Sequence, residues 1–212
     1  IIMVGAYAIL STLTMTGNPY VAVIAAIVVC TLVGILVEKL AYKPLRGASP
    51  LAVLITAIGV SFFLQSIAQL AYGAKSRPVS LPSFGNITIG GVQISVATVL
   101  TLVIGAIIMA ALTFFVKKTR IGRAMQAVSE DRGAAQLMGI NVDRIIMITF
   151  AIGSALAAFA SLFYLMQIPS TSPTLGSMPG IKAFTAAVIG GIGSIPGAMI
   201  GGVLLGIIEK VC

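Results

Sequence analysis

The chain has 212 residues, of which 58% are hydrophobic and 8% charged, with a mean hydropathy of +1.13. A soluble domain carries about 25% charged residues, so composition excludes an ordinary water-soluble enzyme or binding module and points to a chain whose solvent is largely lipid. The net charge of +8 does not argue for nucleic acid, because the basic residues fall in loops between apolar runs, which is the positive-inside pattern of membrane proteins.

In chain order, Ile1 to Met15 reads as the latter part of a helix, closed by the turn signal Asn18-Pro19. Tyr20 to Val37 is a span uninterrupted by charge. Glu38 to Pro50 reads as a short loop with Lys39, Lys43 and Arg46. Leu51 to Ala71 is a second span, dotted with Thr56, Ser61, Gln65, Ser66 and Gln69. From Gly73 to Ser95 the helical pattern stops at Pro78, Pro82 and Gly85. Residues 87–89 and 92–95 then alternate around Gly90-Gly91 as a small hairpin. Ala97 to Val116 is a clean span. Residues 117–144 are polar, Ile145 to Ile168 is the next span, and Pro169 to Pro179 is an uncharged loop rich in Ser, Thr and Pro. Lys182 to Glu209 closes the chain, broken by a Gly/Pro cluster into either one span or two half-spans. The expected fold is all-α: a polytopic bundle of about six to seven transmembrane helices in a single permease domain over 1–212. The chain begins at Ile1 and stops just past a span, so both ends read as cut and a fragment of a longer protein is expected.

Loops 38–50 and 117–144 carry nine of the thirteen Lys and Arg residues. Spans alternate sides, so these loops share a face and the charge bias makes it cytoplasmic. The hairpin loop is then external. Cys30 and Cys212 show no paired spacing and there is no His, so no metal site or disulfide framework is expected. No GxxxxGK[ST] phosphate loop occurs and no nucleophile–base–acid set contains a His. No catalytic residue is assigned, and ATP hydrolysis is not expected in this chain.

The polar loop is longer than a connection between packed helices needs. Ile121, Met125 and Val128 fall on one helical face. Ser129 is placed to cap a second short helix with Glu130 and Asp131 in its first turn. Ala134, Ala135, Leu137 and Met138 form its body, and Gly139 is its stop. These residues fit either a docking helix or an amphipathic segment lying on anionic lipid.

The motif Gly133-Ala134-Ala135, three residues and then Gly139 resembles the EAA loop of ABC-importer permeases, with Gly133 where that motif has Glu and without its later Pro. The wording SEDRGAAQLMGINVDR over 129–144, the segment GGIGSIPGAMIGGVLLGIIE over 190–209, and Ala183-Phe184-Thr185-Ala186-Ala187-Val188 before it resemble branched-chain amino acid permeases of the LivH type. The resemblance is strong over 117–209 and looser before. It implies a transport subunit in the bacterial inner membrane, driven by separate ATPases that bind ATP and Mg while this chain binds no cofactor. It implies that 117–144 is a cytoplasmic coupling loop, with Glu130, Asp131, Ala134, Ala135 and Gly139 contacting an ATPase. The implied partners are a second permease subunit, two ATPase subunits, an extracytoplasmic binding protein and membrane lipid, with no nucleic acid.

Gly190, Gly191, Gly193, Pro196, Gly197 and Gly201 concentrate in the last segment. Small residues every four positions let helix backbones approach in lipid, while a broken helix at membrane depth marks the substrate path in many transporters. Both readings stand at this level. No span centre carries a Lys, Arg, Asp or Glu, which argues against a proton relay or ion-coupled carrier. An apolar zwitterion could instead pass along hydroxyls, amides and backbone dipoles, with Thr56, Ser61, Gln65, Ser154 and Thr185 as candidate lining. Alternatives are an ABC permease for urea, short amides or a sugar, a carrier or channel without an ATPase, and, least compatible with the residues present, a membrane-integral enzyme.

Overall fold

The computed structural model describes residues 1–45, 47–79, 86–89, 92–191 and 193–211. Arg46, Pro82, Gly85, Gly90, Gly91 and Cys212, read above from the sequence, lie outside them.

Helix α1 (Ile2–Thr16) folds back on α2 (Pro19–Val37) through Gly17-Asn18, and the Cys30 thiol of α2 comes within 3.9 Å of the Ile1 carbonyl. The contact is close because α2 turns a row of small residues inward: Ala22, Ala26, Cys30 and Gly34, one every four positions, are its buried residues. Between helices in lipid, such a row is what permits near contact of backbones. The same row receives α7 (Val142–Gln167), whose buried residues include Ser154, Ala158, Ser161 and Leu165. Helices α1, α2 and α7 therefore make the core, with Ile9 and Leu165 fully enclosed.

The expected loop at 38–50 is mostly helix. Val37 runs into a π-helical turn (Glu38–Tyr42) and a 3₁₀ turn (Lys43–Leu45). Charge suggested a loop, but Glu and Lys are good helix formers; the helical turns run on to Leu45, just past Pro44, which has no N–H to give. Helix α3 (Pro50–Tyr72) starts at Ser49, whose hydroxyl accepts from the Ala52 amide. Strand β1 (Arg77–Pro78) follows, and then the expected hairpin: β2 (Asn86–Ile89) pairs antiparallel with β3 (Val92–Ser95), Ile87 opposite Ile94. Helix α4 (Val96–Lys118) crosses back, and α5 (Arg120–Glu130) and α6 (Arg132–Leu137) precede α7. Strand β4 (Ser170–Thr171), α8 (Ser177–Ile189) and α9 (Ile195–Val211) complete the described chain. Pro19–Leu45, Leu51–Tyr72, Val96–Lys118 and Val142–Gln167 are long and apolar enough to cross a membrane. Ile2–Thr16, Ser177–Ile189 and Ile195–Glu209 are shorter apolar helices. The protein is an all-α multi-pass membrane protein.

The two faces inferred from charge are tied together in space. On one, β1 pairs with β4 and the Val79 amide donates to the Pro169 carbonyl at 3.0 Å. On the other, Lys43 meets Asp143 at 3.5 Å, joining the end of α2 to the start of α7.

The last segment is two helices, not one. Gly190 abuts Gly197, Ala186 abuts Gly201 and Lys182 pairs with Glu209; the descending and ascending numbers define an antiparallel hairpin. Its tip turns through Gly191 and Gly193, whose φ of +89° and +99° is left-handed backbone that favours glycine. Gly193 therefore stands outside the four-residue glycine row expected from the sequence. Pro196 does not interrupt a helix either. It lies in the first turn of α9, where its missing N–H costs nothing, and the Gly197 amide donates to the Ser194 hydroxyl at 3.2 Å to cap the helix.

Candidate functional site

The segment 117–144 is an ordered module. The Thr119 hydroxyl accepts from the Gly122 amide at 3.0 Å and starts α5, while Gly122 sits against the Val116 backbone, leaving no room for a Cβ. The cap of α6 is Asp131, not Ser129. The Asp131 carboxylate accepts from the amides of Gly133 (2.7 Å) and Ala134 (3.1 Å), and the Ser129 hydroxyl instead donates to the Gln126 carbonyl at 2.7 Å. Glu130 is consequently the last residue of α5 and not in the first turn of α6. A carboxylate at the N-cap also gains from the helix dipole, which a hydroxyl does not. Gly139 follows α6 at φ +80°, the left-handed stop expected of it.

Val128, Ala135 and Val142 form a small core of their own, with Ile140, Ile145 and Ile146 packed on it, so the module is fastened to the base of α7. Of the residues assigned to ATPase contact, Glu130, Asp131, Ala134 and Gly139 are exposed, whereas Ala135 is buried in that core. The sequence reading treated Leu137 and Met138 as helix body. They are 90% and 82% exposed, an apolar knob on a polar module.

Two cavities meet at Phe150. The larger, about 580 Å³, lies between the module and the tip of the α8–α9 hairpin; Lys117, Gln126, Ser129, Arg132, Thr149 and Ser194 give it polar groups, and Met125, Val128, Ile145 and Pro196 are among its apolar walls. The smaller, about 170 Å³, is lined by Met3, Val37, Ala57, Val60, Ser61, Leu64 and Gln65, with Pro173 and Gly176 also on its wall. Phe150 borders both. Tyr42 of the π-helical turn packs on it, ring centroids 5.0 Å apart at 44°.

Among the candidate lining residues, Ser61 and Gln65 line the small cavity, and the Gln65 amide donates to the hydroxyls of Ser61 (3.4 Å) and Ser177 (3.3 Å). Thr56 and Thr185 give their hydroxyls to carbonyls of their own helices, Ala52 and Lys182, both at 2.9 Å. Ser154 is buried against Gly34 and faces neither cavity. Gly193 and Pro196 line the large cavity, while Gly190, Gly197 and Gly201 hold α8 to α9. The sequence reading missed the Phe150–Tyr42 contact, which joins residues 108 positions apart and has no local signal. It also missed the row Ala22, Ala26, Cys30, Gly34, whose spacing was visible.

No solved structure matches this chain. The permease protein BraD of the high-affinity branched-chain amino acid transport system of Pseudomonas aeruginosa is 47% identical over 190 residues, 87% of this chain and 62% of its own length. The corresponding Escherichia coli K12 protein, LivH, is 45% identical over 193 residues, 88% of this chain and 62% of its own. The fructose import permease protein FrcC of Rhizobium meliloti is 33% identical over 111 residues, half of this chain. The chain thus spans about 62% of the length of the first two relatives. The family model described as branched-chain amino acid transport system / permease component matches residues 1–212, and the chain belongs to that family.

Proposed function

We propose that the chain is the membrane-spanning part of an importer subunit that passes branched-chain amino acids across the inner membrane, powered by ATPase subunits docked on 117–144. The observation that carries this reading is the pair of cavities sharing Phe150, one between transmembrane helices and one opening beside the module. The small cavity suits an apolar zwitterion. Val37, Val60 and Leu64 receive an aliphatic side chain, while the Ser61 hydroxyl and the Gln65 amide offer dipoles to its charged ends. Phe150 and Tyr42 separate it from the cytoplasmic cavity, and their parting opens the route. An extracytoplasmic binding protein delivers substrate on the face of β1 and β4, a second permease completes the membrane unit, and ATP and Mg are bound by the ATPases.

Leu137 and Met138 are the docking knob. Burying an exposed Leu or Met side chain is worth about 1.5–3 kcal/mol, so Leu137→Ser with Met138→Ser loosens ATPase docking by roughly a hundredfold or more. The test is the full-length importer reconstituted in vesicles with its ATPases and binding protein, reading ATP-driven uptake of leucine, urea and ribose. The double variant remains in the membrane and loses at least nine-tenths of leucine uptake. Leucine entering at the full rate without the ATPases refutes the proposal. A sugar cargo is the second reading, favoured by the fructose relative, and ribose uptake in place of leucine decides for it.

A further inference from the structure

A third cavity adjoins the largest one, sharing Thr113, Lys117 and Pro196 with it. It is a crevice of about 420 Å³ along α4, walled by Met109, Ala110, Thr113 and Phe114, with Lys117 and Lys118 at its end and Pro196 opposite. The α4 residues fall at i, i+1, i+4, i+5, i+8 and i+9, so they form one face of the helix. That face is apolar along its length and doubly cationic at the C-terminal end of α4. No Asp or Glu lines the crevice among the described residues. Thr113 borders both this crevice and the 580 Å³ cavity, and its Oγ1 is buried without a hydrogen-bond partner among the described residues. A hydroxyl left unpartnered in an apolar setting is costly.

We propose that the crevice is a binding site for an anionic phospholipid. One acyl chain lies along Met109, Ala110 and Phe114, and the phosphate meets the ammonium groups of Lys117 and Lys118. A neighbouring apolar helix could cover the lower part, but it would leave two lysines against apolar surface. A phospholipid answers the pattern, with hydrocarbon below and negative charge at the top. Because Pro196 forms the far wall, the bound lipid also links α4 to the tip of the α8–α9 hairpin.

The experiment uses the full-length permease in its assembled complex, stripped of lipid in mild detergent and resupplied with phosphatidylglycerol or phosphatidylcholine as probes. Native mass spectrometry counts what stays bound. The unaltered complex retains phosphatidylglycerol in clear excess. A basic residue near an anionic headgroup is worth roughly fivefold in association, so Lys117→Gln with Lys118→Gln lowers retention about thirtyfold. Ala110 is exposed on the crevice wall, and Ala110→Trp fills the space without changing charge. It abolishes retention as well. Equal retention of both lipids, or retention that survives Ala110→Trp, overturns the proposal. Loss of the second permease in Ala110→Trp shows the crevice to be a helix seat and overturns it too. Bound mass is read without ATP or transport, so failure here is distinct from failure of the proposed function.

Discussion

The α8–α9 hairpin makes the sharpest quantitative prediction, because two glycines of one helix face opposite kinds of surroundings. A methyl group at Gly197 would meet the Gly190 carbonyl oxygen, with the Gly190 carbonyl carbon and the Ser194 hydroxyl each at 3.0 Å. One at Gly206 would meet nothing within 4 Å. Carbon contacts are comfortable near 3.5–4.0 Å, so Gly197→Ala pushes the helices apart by at least about half an ångström, and what must give way is backbone. Overpacking of this kind costs typically 1–3 kcal/mol. Packing is the main attraction between helices in lipid, so a spread also weakens the Ala186–Gly201 contact next to it. The helix-propensity gain of Gly→Ala, about 1 kcal/mol, is common to both variants and cancels in their difference. Gly197→Ala is therefore less stable than Gly206→Ala by about 3 kcal/mol, roughly two powers of ten in the folded-to-unfolded ratio. Unfolding titration of each variant in mixed detergent micelles measures this. Equal stability of the two would refute the close backbone approach.

Two further outcomes follow from single contacts. At Gly34, an added methyl would lie 2.6 Å from the Ser154 Cβ, so Gly34→Ala costs about 1–3 kcal/mol. Ser154→Gly restores most of that loss, and a double-mutant cycle shows a coupling of at least about 1 kcal/mol; additive effects would place the two residues apart. In the module over 117–144, Asp131→Ala removes the α6 cap at a cost of about 1 kcal/mol and speeds hydrogen exchange of the Gly133 and Ala134 amides. Ser129→Ala leaves both unchanged, and the reverse ranking would restore Ser129 as the cap.

The membrane class and the spans were legible because each depends on composition or on residues close in sequence. Tyr20–Val37, Leu51–Ala71, Ala97–Val116 and Ile145–Ile168 each differ from the observed helices by a few residues at the ends. The errors share a cause. At 38–50 a charge count was taken for a helix end, although charged residues extend a helix readily and the helical turns run on to Leu45, just past Pro44. At 129–131 the sequence offers Ser129 as the cap, although Asp131 is an equally good capping residue. Only the position of the Gly133 and Ala134 amides decides between them, and a carboxylate reaches two amides where a hydroxyl typically reaches one. Gly193 shared the spacing of Gly197 and Gly201, but spacing cannot tell a ridge from a turn. Ser154 looked like a pathway residue because it is polar in an apolar helix, yet it abuts Gly34. Burial depends on residues far away in the chain, and Phe150 with Tyr42 is the strongest instance.

The arrangement of α2 and α7 also explains how a distant module could govern the route under the proposed function. Val128, Ala135 and Val142 clamp the module to the base of α7, and Phe150 stands eight residues further on, about 12 Å along the helix. A helix transmits displacement over that distance because its backbone hydrogen bonds resist shear. The partner ring, Tyr42, ends a π-helical turn, and such turns recur at functional sites as irregularities in otherwise regular helix. Lys43 holds Asp143 just below, at a surface where an ion pair is worth about 0–1 kcal/mol and so breaks readily. Core packing at Gly34 and Ser154 holds α2 to α7, so only the turns beyond Val37, which carry Tyr42 and Lys43, have room to yield against α7. Under the proposed function, a pull on the module that shifts Phe150 relative to those turns would separate the two rings between the cavities.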